Sequence, residues 1–211
     1  MILYDYFRSS AAFRVRIALN LKGLAAERRF IHLRRGEQRD PRYLELNPQG
    51  FVPMLVVGER RLTQSLAIVE YLEEKHPLPP LLPPGLEDRA WVRAIALSIA
   101  CDIHPLNNLR ILKHLSKEFL VDEPRRDDWY RHWVREGFAP LETQLSERAA
   151  GPYCLGDSPT LADVCLVPQV ANAHRLKVDM APYPRIRSIN EACLALAPFR
   201  DAQPELQPDA E

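Results

Sequence analysis

The sequence predicts an α/β domain built on one mixed sheet, followed by an all-α domain. Three observations carry this expectation. Residues 1–82 alternate between short β-rich runs and helical periodicity, and the rest of the chain is helical almost throughout. Between them, His76–Leu86 holds five prolines, which can continue neither a helix nor a central strand. The expected boundaries are therefore 1–82 and 83–211, with a stiff extended connector over about 77–87. A length of 211 residues is enough for each part to bury a core.

In the first part, Ile2–Phe7 is a β-rich run. Ser9 and Ser10 then precede a helical pattern with Phe13, Ile17 and Leu21 on one face and Gly23 as its stop. Arg29–Leu33 is the second strand candidate, and Asp40–Leu46 fits one or two helical turns. Val52–Val57 and Arg61–Thr63 form a hairpin that turns at Gly58-Glu59, and Ser65–Lys75 is a helix with Leu66, Val69 and Leu72 inward. The order β-α-β-α-β-β-α is a thioredoxin-like layout, with helices on both faces of the sheet.

In the second part, one helix is expected from about Asp88 through Leu115 and another from about Asp127 to Ala149. Thr160-Leu-Ala-Asp163 reads as a capping box ahead of the apolar run Val164–Val170. Tyr183–Ala197 is the last helical segment. The residues after Phe199, with Pro204 and Pro208, read as a loose tail.

Composition narrows the function classes. At 46% hydrophobic and 27% charged, the chain is neither disordered nor membrane-spanning in character, and no apolar run nears the ~20 residues a spanning helix needs. The first residues lack the pattern of a signal peptide, so a cytoplasmic location without membrane attachment is expected. The 28 basic and 28 acidic side chains cancel, but residues 1–82 carry 13 basic against 9 acidic and residues 83–211 carry 15 against 19. Paired arginines such as Arg34-Arg35 and Arg125-Arg126 are dispersed and not interleaved with aromatics, which argues against a nucleic-acid partner. The cysteines at 101, 154, 165 and 193 have neither C-x-x-C nor zinc spacing. They read as small buried apolar residues, and no metal is expected.

Ser9-Ser-Ala-Ala-Phe-Arg-Val-Arg-Ile-Ala-Leu19 resembles the Ser-Ser-x-x-x-Arg-Val-Arg-Ile-Ala-Leu motif of zeta-class glutathione transferases. The resemblance continues through Asn47-Pro-Gln-Gly-Phe-Val-Pro-Met-Leu55 and Thr63-Gln-Ser-Leu-Ala-Ile-Val-Glu-Tyr-Leu72. It extends to Asp102-Ile-His-Pro-Leu-Asn-Asn-Leu-Arg110 and Leu161-Ala-Asp-Val-Cys-Leu-Val-Pro-Gln-Val170, and so covers nearly the whole chain. It implies glutathione as cofactor, an acidic small-molecule substrate and a homodimer. The implied reaction is cis–trans isomerisation of maleylacetoacetate, within the breakdown of aromatic amino acids. Maleylpyruvate isomerisation and transferase or dehalogenase action on small α-halo acids are the enzymic alternatives. A non-catalytic interaction module on the same fold is the other alternative. Many family members carry Cys where this chain has Ala11, so the nucleophilic sulfur is expected from glutathione.

The resemblance assigns roles residue by residue. Ser9, with Ser10 as helper, is expected to face the glutathione sulfur; as residues, either also suits a plain helix N-cap. A thiolate gains from a hydroxyl donor and from the partial positive charge of a helix N-terminus. Pro53 is cis in the family, which turns the Val52 backbone towards the cysteinyl part of glutathione. Gln64 and Ser65 are expected on the γ-glutamyl carboxylate, at a strand-to-helix junction suited to anions. Gln49 adds a polar contact. A dicarboxylate substrate requires cations, and Arg8, Arg110 and Arg175 are the candidates, with Arg8 also expected in catalysis. His104 and Asn108 are i and i+4 and share a face if Pro105 only kinks their helix; both are expected on the cofactor.

Overall fold

The computed structural model describes residues 1–148 and 150–211. They form two compact units, Met1–Leu81 with Leu194–Glu211, and Leu82–Cys193.

The first unit runs β1 (Ile2–Asp5), α1 (Ser10–Leu21), β2 (Glu27–Phe30), α2 (Pro41–Leu46), β3 (Met54–Val57), β4 (Arg60–Thr63) and α3 (Ser65–Lys75). The strand order is β2-β1-β3-β4. β1 and β2 are parallel, which requires the crossover that α1 supplies. β1–β3 and β3–β4 are antiparallel, and Leu3 lies opposite Leu55 while Tyr4 lies opposite Met54. Alternation sends these pairs to opposite faces. Tyr4 and Met54 pack with Tyr43 of α2, Val52, Tyr6 and Phe7. Leu3 and Leu55, both fully buried, face the other side, where α1 packs against α3.

α1 ends at Gly23, whose φ of 63° lets the chain leave the helix with Leu24 N–H bonding back to Leu19 O at 2.9 Å. β2 starts two residues before the expected Arg29 and stops at Phe30. It is an edge strand that pairs only with the four residues of β1, so its length follows β1 rather than the apolar run Phe30–Leu33. The first half of the proline connector is fastened to this unit: Leu81 N–H donates to both Glu73 carboxylate oxygens at 3.0 Å, and Lys22 Nζ bonds Glu73 and Pro79 O.

The expected loose tail is instead structured. α9 (Ala197–Arg200) and a 3₁₀ turn at Pro204–Leu206 lie on the first unit, with Phe199 and Ala202 fully buried. Asn20 Nδ2 donates to Pro198 O at 2.9 Å and Arg16 Nε to Ala202 O at 3.0 Å.

The second unit contains α4 (Leu86–Leu97), α5 (Leu109–Glu118), α6 (Glu123–Glu147), α7 (Leu161–Arg175) and α8 (Pro184–Leu194). The single helix expected over 88–115 is broken. After α4 the backbone widens into π-type turns at Ser98–Ile103, tightens to a 3₁₀ turn at Pro105–Asn107, and restarts at α5. Pro105 has no N–H and its ring crowds the carbonyl four residues back, so the α ladder cannot pass through it. α6 is capped by Asp122, whose carboxylate accepts from Arg125 N–H at 3.0 Å. The end expected for this helix, Ala149, lies outside the described residues.

α7 is buried along most of its length, and its capping box is formed as the sequence predicts. Asp163, fully buried, accepts from Thr160 N–H and Cys154 N–H at 2.8 Å each. Cys154, Cys165 and Cys193 are buried, but Cys101 is exposed, against expectation, because it sits on the outward side of the π-type turns. Among the described residues no helix is long and apolar enough to cross a membrane, and no group of His, Cys, Asp or Glu side chains is arranged to hold a metal ion.

Candidate functional site

The start of α1 carries the serine pair. Ser9 is the N-cap, extended at φ −73°, ψ 112°, and its Oγ accepts from Ala12 N–H at 3.2 Å. A hydroxyl that accepts in this way keeps its own hydrogen as a donor. Ser9 N–H bonds Tyr6 O at 2.9 Å, which closes a turn across Phe7 and Arg8. Ser10 is buried as the first residue of the helix. Arg8 is exposed, with its guanidinium carbon 5.0 Å from the centre of the Phe7 ring.

A second set of expected residues converges on the start of α3. Asn47, buried, donates from Nδ2 to Phe51 O at 2.9 Å and accepts Gln49 N–H at 3.2 Å. Tyr43 adds a 2.6 Å bond from its hydroxyl to the same Phe51 carbonyl, and burial pushes its hydroxyl up to about 12. Gly50 turns at φ 61°, where a Cβ would meet Gln38 O at 2.7 Å. Together these contacts fix the loop that presents Gln49 and the buried Val52, whose bond to Pro53 is cis.

Gln64 stands at φ 69°, ψ 118°, a region a non-glycine residue occupies at a cost of order 1–3 kcal/mol. Strain of this size persists where surrounding contacts hold it. Here the Gln64 Nε2 donates to Gln49 Oε1 at 3.2 Å, so the two expected glutamines meet. α3 begins at the next residue, Ser65, without a side-chain cap, and its first-turn N–H groups remain available to an anion.

Beneath Ser65 lies a residue that sequence reasoning missed. Arg14 of α1, 2% exposed, donates from Nη1 to Ser65 Oγ at 3.2 Å. With its oxygen accepting from a cation, the Ser65 hydroxyl turns its hydrogen outward as a donor. The available signal was position: Arg14 is one helical turn beyond Ser10 and is flanked by Phe13 and Val15. Ser10, Arg14 and Ser65 thus connect the starts of α1 and α3.

The remaining candidates belong to the second unit. His104 and Asn108 do not share a helix face, because the break at Pro105 separates them. Asn108 is instead the extended N-cap of α5, accepting from Arg110 N–H at 3.1 Å, and Arg110 itself is exposed. Arg175, near the end of α7, lies 5.5 Å from the Tyr130 ring centre. It donates from Nη2 to the Tyr130 hydroxyl at 3.4 Å and to Asn172 Oδ1 at 3.5 Å. Burial raises the Tyr130 hydroxyl and the Arg175 charge opposes that rise.

The first unit therefore offers a helix N-terminus with a hydroxyl donor, the backbone of Val52 ahead of the cis Pro53, and a second uncapped helix N-terminus with a hydroxyl and two amides. This donor set fits a peptide-like thiol that carries an α-amino-acid carboxylate.

Two family models match the chain, the glutathione S-transferase N-terminal domain over residues 1–74 and the glutathione S-transferase C-terminal domain over 125–188. A probable maleylacetoacetate isomerase of Vibrio cholerae is 51% identical, across all of this chain and 98% of its own length. The holo structure of a maleyl pyruvate isomerase, a bacterial glutathione S-transferase in the zeta class, is 47% identical with a TM-score of 0.99, and all of both chains is covered. A maleylacetoacetate isomerase from Methylobacterium extorquens AM1, with malonate and glutathione bound, is 42% identical with a TM-score of 0.97, again over all of both chains.

Proposed function

The chain belongs to the zeta class of the glutathione S-transferase family, and on that premise we propose that it catalyses the glutathione-dependent cis–trans isomerisation of maleylacetoacetate to fumarylacetoacetate. The observation that carries this reading is the pair of helix starts, Ser9 on α1 and Ser65 on α3, joined through Arg14.

When bound, glutathione supplies a sulfur nucleophile that adds reversibly to the cis double bond and leaves after rotation about it. Ser9 donates its hydroxyl hydrogen to the sulfur, and the α1 N-terminus favours the ionised form. Ser10 supports that first turn. Gln64, Ser65 and the α3 N–H groups hold the γ-glutamyl carboxylate, Val52 pairs with the peptide, and Gln49 orients Gln64 by accepting its side-chain N–H. Arg8 meets the acidic substrate and stabilises charge on its oxygen. No side chain of the protein needs to act as the nucleophile.

Conversion of maleylacetoacetate by the pure protein should require glutathione; equal rates with and without it would refute the proposal. Maleylpyruvate is the second substrate to compare, because the relative with a TM-score of 0.99 is a maleyl pyruvate isomerase. The protein is further proposed to work as a cytoplasmic homodimer, which sedimentation of the full chain and cell fractionation would check.

A further inference from the structure

Phe7, two residues before Ser9, has both of its backbone groups held by side chains distant in the sequence. Its N–H donates to Asp209 Oδ2 at 2.9 Å, across 202 positions. Its carbonyl accepts Arg16 Nη2 at 3.0 Å. Arg16 is fixed in turn by Asp5 Oδ1 at 2.9 Å and by the carbonyl of Ala202 at 3.0 Å. Both arms of the clamp therefore depend on the C-terminal segment. Gln207 holds that segment in shape, donating to Asp201 O at 3.0 Å and Gln203 O at 2.7 Å while accepting from Arg28.

Asp209 Oδ1 is buried and has no hydrogen-bond partner among the described residues. Placing a half-satisfied carboxylate there is costly, and the charges of Arg16 and Arg28 offset the cost. A neutral residue would pack the tail with less penalty. What the carboxylate adds is a charge-assisted bond to one specific N–H, directly ahead of the turn that Ser9 closes onto Tyr6 O. That turn sets where the Ser9 hydroxyl stands and where α1 points.

We propose that Asp209 is a positioning residue for the reaction: it clamps Phe7 together with Arg16, and so holds Arg8 and Ser9 in register with the sulfur. This rests on the reading of Ser9 as the group that faces the glutathione sulfur. The test measures kcat, KM for glutathione, and the pKa of the bound thiol from its thiolate absorbance. It uses the full-length protein and Asp209→Ala, Asp209→Asn and Asp209→Glu. Asp209→Ala is expected to lower kcat about 10-fold and raise the thiol pKa by about 1 unit, with KM changed by less than about 3-fold. Asp209→Asn, which keeps an acceptor oxygen, should lower kcat about 3-fold, and Asp209→Glu should recover most of the activity.

Ile189→Val, in the core of the other unit, gives a comparison for lost stability alone, and its thiol pKa should not move. If Asp209→Ala does not fold, Asp209→Asn decides. A parental kcat and thiol pKa in the decisive variant would overturn the proposal while leaving the reading of Ser9 intact. If the unsubstituted protein fails to lower the thiol pKa, that reading fails and the proposal falls with it.

Discussion

Arg14 and Ser65, 51 positions apart, meet in the interior of the first unit, with the guanidinium Nη1 donating to the serine Oγ at 3.2 Å. The bond sets the direction of a hydroxyl that stands at the uncapped start of α3. It makes the helix start a preorganised donor site rather than a frayed end.

Removing that hydroxyl should therefore weaken binding more than chemistry. A hydrogen bond to a charged group contributes about 1.5–3 kcal/mol, so Ser65→Ala is expected to raise the Kd for glutathione about 10- to 100-fold. The kcat at saturating glutathione should change far less. Calorimetric titration alongside steady-state kinetics would separate the two; a kcat loss as large as the loss of affinity would contradict the assignment.

Ser9 should show the reverse. Ser9→Ala deletes a donor aimed at developing charge, a change that costs about 10²–10³ in kcat in comparable sites. The optimum pH should move upward as the bound thiol becomes harder to ionise. The lost N-cap should cost about 1 kcal/mol of stability, visible in denaturant unfolding and too small to explain the kinetic loss. Ser10→Ala is expected to have the smaller kinetic effect.

Tyr43 links the loop before Pro53 to alkaline stability. Its hydroxyl lies at about 12 when buried against an ordinary value of 10.0. Below pH 10 the hydroxyl is protonated in both folded and unfolded chains and contributes no pH dependence. Between pH 10 and 12 the unfolded chain releases a proton that the folded chain retains, so stability falls as pH rises, by about 2–3 kcal/mol in all. Tyr43→Phe should flatten this alkaline loss and cost about 1 kcal/mol at neutral pH through the missing bond to Phe51 O. Urea unfolding at a series of pH values would reveal an unchanged slope if Tyr43 is not its source.

A fourth expectation concerns sulfur. Cys101 is exposed, whereas Cys154, Cys165 and Cys193 are buried, and burial pushes the thiols of Cys154 and Cys193 upward. One thiol should react quickly with a disulfide reagent in the native protein, and mass spectrometry should place it at Cys101. Blocking it should leave glutathione-dependent activity within about twofold, because Ala11 stands where a protein thiol would otherwise lie at the site. Loss of activity on blocking would point to a protein nucleophile.

Local chemistry made much of this architecture legible. Short β-rich runs and the turn at Gly58-Glu59 placed β1, β3 and β4, Ser9 and the Thr160–Asp163 pair marked helix starts, and α3 spans the expected Ser65–Lys75. Gln49 and Gln64, far apart in the sequence, meet beside Ser65. What periodicity could not reveal was non-local. The apolar spacing runs on through Pro105 although the backbone hydrogen bonds do not, so one helix was expected where α4 and α5 stand and His104 was wrongly paired with Asn108. Nothing local marks Arg14 and Arg16 as interior, yet each is 2% exposed: Arg14 reaches Ser65, and Arg16 bonds Asp5, Phe7 O and Ala202 O. The polar, proline-bearing C-terminal segment resembles a tail because its partners lie far back in the sequence, among them Phe7, Arg16, Asn20 and Arg28.

That return of the C-terminus also sets an order of events during synthesis. Residues 82–193 form a unit from one continuous stretch and have all their own contacts before the last segment leaves the ribosome. The first unit, although translated first, waits for residues 194–211. Until Ala202 and Asp209 emerge, Arg16 lacks one of its acceptors and the N–H of Phe7 has no carboxylate. The serine turn is therefore finished only after residues 82–193 have been made, and a chain cut before Ala202 would hold a folded helical unit and an unset site.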